Sequence, residues 1–178
     1  MSEDEKLIAD YLAGDDTALE KLIEKYRRMV YSLTWRMLGT MELAEEVTQS
    51  VFVKMFKNIG KFKGKSSFKT WLYAITLNES RGYRRKLARE PVQAEETDTP
   101  DLSSNPERDL SREEERHLLQ GALARLSFKQ RSVVTLRIND ELPFVQIAEA
   151  LGMSVNSAKV NYQHGFKRLQ EILTGGEG

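Results

Sequence analysis

The spacing of apolar residues constrains the fold of this chain more than any other feature of its sequence. Between residues 19 and 37, apolar side chains recur at intervals of three and four, which is the period of one face of an α-helix. The same period returns between residues 43 and 59. Neither an internal repeat nor an alternation typical of strands competes with it. The sequence therefore predicts an all-α fold.

Capping residues and glycines divide residues 1–89 into four predicted helices, which together form a first small domain. The first helix starts at a capping box formed by Ser2 and Glu5. The fourth follows a loop rich in lysine and glycine and runs from about Phe68 to Ala88. The other predicted boundaries are Gly14, Asp15 or Asp16, Gly39, Thr40 and Gly60.

The charges, which cancel over the whole chain, are sorted into blocks. Residues 61–89 carry nine basic and one acidic side chains, whereas residues 90–116 carry three basic and ten acidic ones. The first block indicates a surface that binds a polyanion. Residues 90–111 contain three of the four prolines and no aromatic residue. They are predicted to form a flexible acidic linker between two domains.

Residues 112–174 are predicted to form a second helical domain that ends in a helix-turn-helix. Helical character returns at about Arg112, Ser127 caps a further helix, and Pro143 suits the first turn of the next. That helix stops at Gly152, and Ser154 caps the last one. A three-residue turn with a glycine between two helices is typical of this DNA-binding motif. An ordinary helical hairpin with a solvated polar face is the alternative.

The last predicted helix has an outward face suited to a DNA groove. Asn156, Val160, Gln163 and Lys167 lie roughly opposite the apolar positions, and Lys159 is a further candidate for contact with phosphate. Amide side chains can pair with adenine edges, and lysines can bind phosphates. These residues therefore predict contact with duplex DNA.

The basic block combines cations with aromatic residues. Lysines alternate with Phe62 in the loop, Trp71 and Tyr73 follow, and arginines cluster between residues 81 and 89. Such a mixture favours single-stranded DNA, because aromatic rings can stack on unpaired bases. Tyr73, Ser80 and Arg84 are predicted to point away from the core. The alternatives are a solvated basic helix end and buried aromatic residues.

The predicted helix at residues 43–59 carries candidates for a protein interface. Glu46, Gln49 and Ser50 lie outside its apolar stripe, together with Phe52 and Phe56. Aromatic side chains on a mixed polar face are typical of a surface that binds a protein. A fully buried helix is the alternative.

Other classes of protein are disfavoured. The chain has no cysteine and only two histidines, so no metal site is expected, and neither is a cofactor. The sequence contains neither a nucleophile grouped with a base nor a glycine-rich loop for phosphates. An enzyme is therefore not expected. Without an apolar leader or a run long enough to span a membrane, the chain is expected to be cytoplasmic.

Three segments give the chain a resemblance to a known family. AEEVTQSVFVKMF, FKGKSSFKTWLYAITLNESRGYRR and LSFKQRSVVTLRINDELPFVQIAEALGMSVNSAKV appear in the order and spacing of the extracytoplasmic-function branch of the sigma-70 factors. The resemblance implies a sigma region 2 domain, a linker and a sigma region 4 domain. It also implies binding to core RNA polymerase, recognition of promoter DNA and an anti-sigma partner, without membrane insertion.

The resemblance implies three sets of site residues. Contact with the polymerase beta-prime clamp helices is expected from Glu46, Gln49, Ser50 and Phe56. The minus-ten element, once melted, is expected to contact Lys61, Lys63, Lys65, Trp71, Tyr73, Asn78, Arg81, Arg84 and Arg85. The minus-thirty-five element is expected to contact Asn156, Ser157, Lys159, Val160, Gln163 and Lys167, in a domain that also touches the beta-flap.

The sequence departs from the family pattern at two places. Ser50 stands where the family usually has Glu, and the last helix has few arginines. A regulator that binds duplex DNA without polymerase, and an interaction protein with a solvated basic helix, are the other hypotheses. Promoter-specific transcription with core polymerase would separate the three.

Overall fold

The computed structural model describes residues 1–90 and 106–175 and is built from α-helices. In the N-terminal half, residues 1–90, the helices are α1 (Glu3–Leu12), α2 (Asp16–Leu38), α3 (Met41–Asn58) and α4 (Phe68–Arg89), with a short 3-10 helix (Ile59–Lys61) after α3. In the C-terminal half, residues 106–175, they are α5 (Pro106–Ala124), α6 (Phe128–Ile138), α7 (Phe144–Leu151) and α8 (Val155–Leu173). The described residues contain no strand, and the predicted all-α fold is confirmed.

Local sequence signals set most helix ends. The Ser2 hydroxyl accepts a hydrogen bond from the backbone N–H of Glu5, and the Glu5 carboxylate accepts one from the Ser2 N–H, which confirms the capping box. Asp15 caps α2 through its contact with the Thr17 N–H. Gly39 ends α2 at a φ of 87°, a conformation that favours glycine.

The N-terminal half has its own apolar core. Leu22 and Val30 of α2, Val47 and Val51 of α3 and Leu72 of α4 are completely buried against one another. Helix α1 is tied to this bundle at its polar edge, where Asp4 accepts a 2.5 Å hydrogen bond from the Tyr26 hydroxyl. The period of the apolar residues therefore identifies the inward faces of α2 and α3.

Helix α5 corrects one expected boundary. It begins at Pro106, six residues before the start expected near Arg112 and inside the predicted linker. Proline suits the first helical position because its missing N–H has no partner there. The remainder of the predicted linker, residues 91–105, lies outside the described residues.

The two halves share one apolar core. Leu33, Met37, Tyr73 and Leu77 from α2 and α4 pack with Val133, Leu136, Leu142, Ile147, Ala148, Ala150 and Ala158 from the C-terminal half. Helix α4 packs on α7, and α2 packs on α5 and α6. We call this contact the interface between the halves. In α4, this interface determines which of the predicted site residues are exposed.

Candidate nucleic-acid and protein interfaces

The turn between α7 and α8 has the geometry of a helix-turn-helix. Gly152 ends α7 with a φ of 62°, and Ser154 caps α8 by accepting a hydrogen bond from the Ser157 N–H at 3.0 Å. Ile147 and Ala158 are completely buried where the two helices meet. This packing holds α8 at a fixed angle, with one side free to enter a groove.

The free side of α8 carries most of the predicted site residues. Asn156, Lys159, Val160, Gln163 and Lys167 are exposed. Ser157, also a predicted site residue, is half-buried, and its hydroxyl accepts a hydrogen bond from the Asn161 amide at 3.3 Å. Ala158, Gly165 and Leu169 lie on the buried side. The structure therefore presents amide and lysine side chains together on one surface.

The loop before α4 presents its lysines to solvent above an aromatic cluster. Lys61, Lys63 and Lys65 are all exposed. Phe62, Phe68 and Trp71 contact one another, with ring centroids 5.4 to 5.7 Å apart. Phe68 is buried, whereas Phe62 and Trp71 are half-buried and keep part of their rings accessible. This cluster can offer stacking surface beside a run of positive charge.

Tyr73 does not lie where the sequence places it. The prediction that Tyr73, Ser80 and Arg84 point away from the core is wrong, because Tyr73 and Ser80 are completely buried. The Tyr73 hydroxyl donates a 2.8 Å hydrogen bond to Asp140, in the loop between α6 and α7. Burial, followed by the nearby Asp140 charge, raises the pKa of the phenol far above its ordinary value. No base can stack on Tyr73 in this arrangement.

The predicted arginines of α4 divide into two groups. Arg81 and Arg84 lie over the ring of Phe128 in α6, with guanidinium carbons 5.4 and 5.6 Å from its centroid. Both are half-buried, whereas Arg85 and the predicted Asn78 are exposed. A cation over an aromatic face is attracted to it. Part of the basic surface is thus covered by the C-terminal half.

The predicted protein-binding residues of α3 fall on two sides of that helix. Glu46 accepts a 3.0 Å hydrogen bond from the Tyr83 hydroxyl, and Ser50 donates a 2.9 Å hydrogen bond to Glu79. These two residues face α4. Burial, together with the hydrogen bond to Glu46, raises the pKa of Tyr83. Glu46 and Ser50 are therefore partly engaged within the chain.

Gln49 and Phe56 lie on the other side of α3 and are exposed, Phe56 to 53%. The Phe56 ring contacts that of Tyr11, with centroids 6.3 Å apart. Beside them a groove of about 930 Å³ runs between α2 and α3. Its lining residues are Ile23, Glu24, Arg27, Arg28, Tyr31, Glu45, Thr48, Gln49, Phe52 and Val53.

The sequence does not predict the part of this groove that α2 supplies. Arg27, Arg28 and Tyr31 line it, although they lie outside the apolar stripe of α2. In the sequence, these residues are distinguished only by their position on a polar face opposite that stripe. Most surface helices have such a face. Only the packing of α2 on α3 places them beside Gln49.

In residues 1–90 and 106–175, no group of three or more His, Asp or Glu residues could hold a metal ion. Among the same residues, no helix is long and apolar enough to cross a membrane.

Comparison with known proteins identifies both halves. The family model for Sigma-70 region 2 matches residues 22–90, and that for Sigma-70, region 4 matches residues 116–169. The chain is 29% identical to the ECF RNA polymerase sigma factor SigW of Bacillus subtilis, over 94% of this chain and 95% of that protein. It is 28% identical to the ECF RNA polymerase sigma-E factor of Escherichia coli, over 88% of this chain and 86% of that protein.

Solved structures show the same fold. CnrH, in complex with the cytosolic domain of CnrY, matches with a TM-score of 0.76 and 19% identity, over 99% of this chain and 100% of that chain. The sigma factor RpoE of Bartonella quintana, in complex with the anti-sigma factor NepR, matches with a TM-score of 0.68 and 19% identity, over 89% and 98%. From both family models and from relatives that align over most of its length, this chain belongs to the extracytoplasmic-function branch of the sigma-70 family of RNA polymerase sigma factors.

Proposed function

We propose that this chain binds core RNA polymerase and directs it to a class of promoters, where it recognises two DNA elements and stabilises the melted strand. The observation that carries the proposal is the arrangement of two different surfaces. The N-terminal half combines exposed lysines with accessible aromatic rings, and the C-terminal half presents a helix-turn-helix. The first composition suits unpaired DNA and the second suits a duplex groove.

Polymerase docking is assigned to the exposed side of α3. Gln49, Val53 and Phe56 place an amide and two exposed apolar side chains beside the groove between α2 and α3. An apolar patch with a polar rim is the usual composition of a protein interface. Glu46 and Ser50, which contact α4, contribute at the edge of this surface.

Recognition of the minus-ten element is assigned to the loop lysines, to Trp71 and to the exposed part of α4. Recognition of the minus-thirty-five element is assigned to the outward side of α8, where Asn156 and Gln163 contact bases and Lys159 and Lys167 contact phosphates. The proposed domain limits are 1–89 for the first domain, 90–111 for the segment that joins the domains, and 112–174 for the second domain. The joining segment ends with the first residues of α5. The beta-flap contact is assigned to the same C-terminal half.

The chain itself performs no chemistry in this proposal, and it needs no cofactor, because the polymerase forms and extends the transcript. Such a protein acts in the cytoplasm, where the polymerase meets the chromosome. An anti-sigma factor is a further proposed partner, supported by the sigma factor of Bartonella quintana, which was solved with one.

Transcription in a purified system tests the proposal. Core polymerase with this chain should transcribe from promoters of genes that its overexpression induces, and minus-ten bases should become reactive to permanganate. Lys61→Ala with Lys63→Ala should reduce opening and lower the salt dependence by about 0.7 per lost single-strand contact. Lys6→Ala with Lys21→Ala, which removes two exposed lysines elsewhere, is the control.

Transcription without permanganate reactivity would assign the melting function to other residues. Binding to duplex promoters without polymerase, and no transcription with it, would instead indicate an ordinary helix-turn-helix regulator.

A further inference from the structure

A cleft of about 520 Å³ opens where α2 and the start of α4 meet the loop between α6 and α7. We call it the α2–α4 cleft. A concave site of this size with a few convergent polar groups is typical of small-molecule binding. Apart from Arg28, which also lines the groove beside α3, its side chains contribute to no surface described above. The lining residues are Lys25, Tyr26, Arg28, Met29, Ser32, Arg36, Lys69, Asn139 and Asp140.

The α2–α4 cleft carries more positive charge than the chain neutralises. Lys25 is already paired, because its ammonium group lies 2.7 Å from each of two carboxylates of α1. Arg28, Arg36 and Lys69 form no ion pair with a carboxylate in residues 1–90 and 106–175. Three unpaired cations around one concave surface concentrate anions there.

Arg36 is the half-buried cation of these three and is held in a fixed position. Its Nη1 donates a 2.7 Å hydrogen bond to the hydroxyl of Ser32, one turn earlier in α2. Burial lowers the pKa of the guanidinium, and the charge of Asp140 offsets part of this effect. The remaining N–H groups of a guanidinium form a planar fork that matches two oxygens of a phosphate.

Asp140 gives the cleft a second chemical requirement. Its Oδ1 accepts the hydrogen bond from Tyr73, whereas its Oδ2 is buried and has no hydrogen-bond partner. An unsatisfied buried acceptor is unfavourable. Because Asp140 lines the cleft, a ligand hydroxyl would supply the missing donor, whereas an anion without a donor would meet a like charge.

The charges of the cleft favour a phosphate over a carboxylate. The three unpaired cations and the Asp140 carboxylate together leave two positive charges. A phosphate monoester carries about two negative charges at neutral pH, whereas a carboxylate carries one. A phosphate monoester therefore neutralises the cleft.

We propose that the α2–α4 cleft binds a phosphorylated small molecule that also carries hydroxyl groups, the chemistry shared by sugar phosphates and nucleotides. The phosphate binds Arg36 and Lys69, and a hydroxyl donates to Asp140. This site goes beyond the proposed function, because neither polymerase nor promoter DNA takes part in it. Since the lining residues come from both halves, the bound molecule also stabilises the packing of one half on the other.

Calorimetric titration of the full chain with ribose-5-phosphate tests the site. The dissociation constant should be about 1 mM or lower, which a ligand of this size commonly reaches. Ribose, which lacks the phosphate, should not bind. Inorganic phosphate, which lacks the hydroxyls, should bind about tenfold more weakly than ribose-5-phosphate.

Adenosine monophosphate distinguishes the two sources of this chemistry. Tighter binding than that of ribose-5-phosphate would assign the site to a nucleotide, because the base then adds contacts in the cleft. Equal or weaker binding would assign it to a sugar phosphate. Either result supports the proposed site.

Arg36→Met with Lys69→Met removes two cations and keeps their apolar stems. This double variant should bind ribose-5-phosphate at least about tenfold more weakly than wild type. Arg125→Met with Lys129→Met is the matched control, because it removes an exposed arginine and an exposed lysine outside the cleft. Lys69→Met alone alters only an exposed side chain, so the fold should be retained, and it should weaken binding about threefold.

Asp140→Asn tests the hydroxyl contact separately from the phosphate contact. Removal of the like charge should increase the affinity for inorganic phosphate. The preference for ribose-5-phosphate over inorganic phosphate should shrink, because the acceptor for the hydroxyl is altered. A purely structural role of Asp140 would change both affinities by the same factor, and that result would contradict the hydroxyl contact.

Three results would overturn the proposed site. The first is no binding of ribose-5-phosphate to the wild type at about 10 mM. The second is an equal affinity in the cleft variants and in the control. The third is an equal loss of affinity for ribose-5-phosphate and for a single-stranded oligonucleotide of about 12 nucleotides in Arg36→Met with Lys69→Met, which would assign the cleft to the DNA surface. Promoter-specific transcription judges the proposed function independently of all three.

Discussion

The hydroxyl of Tyr73 donates a hydrogen bond of 2.8 Å to Oδ1 of Asp140, a residue 67 positions later in the chain. Asp140 is held in place by its loop, where the Leu142 N–H donates to the Leu136 carbonyl and Arg137 donates to that of Leu142. The other carboxylate oxygen of Asp140 is buried without a partner. This hydrogen bond therefore joins the two halves of the chain. It depends on a carboxylate whose second oxygen has no hydrogen-bond partner.

Tyr73→Phe should destabilise the protein. It removes the hydroxyl that satisfies Asp140 and leaves the carboxylate partly buried without that donor, at a cost of about 1 to 3 kcal/mol. Urea unfolding gives the change in free energy. Tyr11→Phe is the control, because the Tyr11 hydroxyl is hydrogen-bonded to no described residue, and it should change stability far less. Equal effects of the two substitutions would show that the Asp140 contact contributes nothing.

Stability should depend on pH through Asp140. Burial raises the pKa of this carboxyl, although Tyr73 and the charges of Arg36 and Lys69 partly offset the effect. Because the pKa of Asp140 is raised in the folded state, the protonated carboxyl contributes fully to stability below the pKa of the unfolded state. This contribution to stability is lost as pH rises through the pKa of the folded state. Asp140→Asn, which stays neutral, should therefore increase stability at about pH 8.

The expected gain is about 2 to 4 °C in Tm, which corresponds to about 1 kcal/mol for a chain of this size. It should shrink as the buffer is acidified towards about pH 4, where the wild-type carboxyl becomes protonated. Thermal unfolding across this range measures it, with the exposed Asp16→Asn as the control. A difference that does not vary with pH would contradict the prediction.

Gln49→Ala with Phe56→Ala should weaken binding to core polymerase by about tenfold or more, because central interface residues often contribute 1 kcal/mol or more each. Both side chains are exposed, so the fold should be retained. Titration of labelled chain with core polymerase measures the affinity. Leu118→Ala with Gln170→Ala, another exposed apolar and amide pair, is the control. Unchanged affinity in a folded variant would place docking on another surface.

Gln163→Ala and Lys167→Ala should have different effects on promoter choice. Loss of a base contact should cost about 1 to 3 kcal/mol of discrimination at one position of the minus-thirty-five element. Loss of a phosphate contact should weaken binding to all sequences alike and lower the salt slope by about 0.9. A library of promoter variants, bound at several salt concentrations, measures both. Identical profiles for the two variants would refute the assignment of these side chains.

Gly165→Ala should destabilise the C-terminal half. A Cβ at this position would lie 2.8 Å from Val134 Cγ2 and 3.1 Å from Gln130 Cβ, which forces α6 and α8 apart. Such overpacking costs about 1 to 3 kcal/mol. Gly121→Ala is the matched control, since nothing lies within 4 Å of its Cβ and alanine favours the helix. Urea unfolding should therefore show changes of opposite sign.

The sequence by itself determined the helices and most of their ends, because these depend on neighbours a few residues apart. Ser2 and Glu5 form their capping box from local contacts, and the outward position of Gln163 follows from the helical period alone. The same period correctly predicted that Gln49 lies on the exposed face of α3. Only α5 began earlier than predicted, because an acidic segment with proline is equally compatible with a linker and with a first helical turn.

The tertiary structure alone decided which side of α4 is covered. The period identifies Phe68 and Leu72 as core residues, but Tyr73, one position further around the helix, is exposed or buried according to what packs there. Its neighbours Asp140 and Ile147 come from the other half of the chain, and no pattern within α4 encodes them. Burial is a property of contacts distant in sequence, and the availability of Tyr73, Arg81 and Arg84 to DNA is therefore set by how the two halves pack.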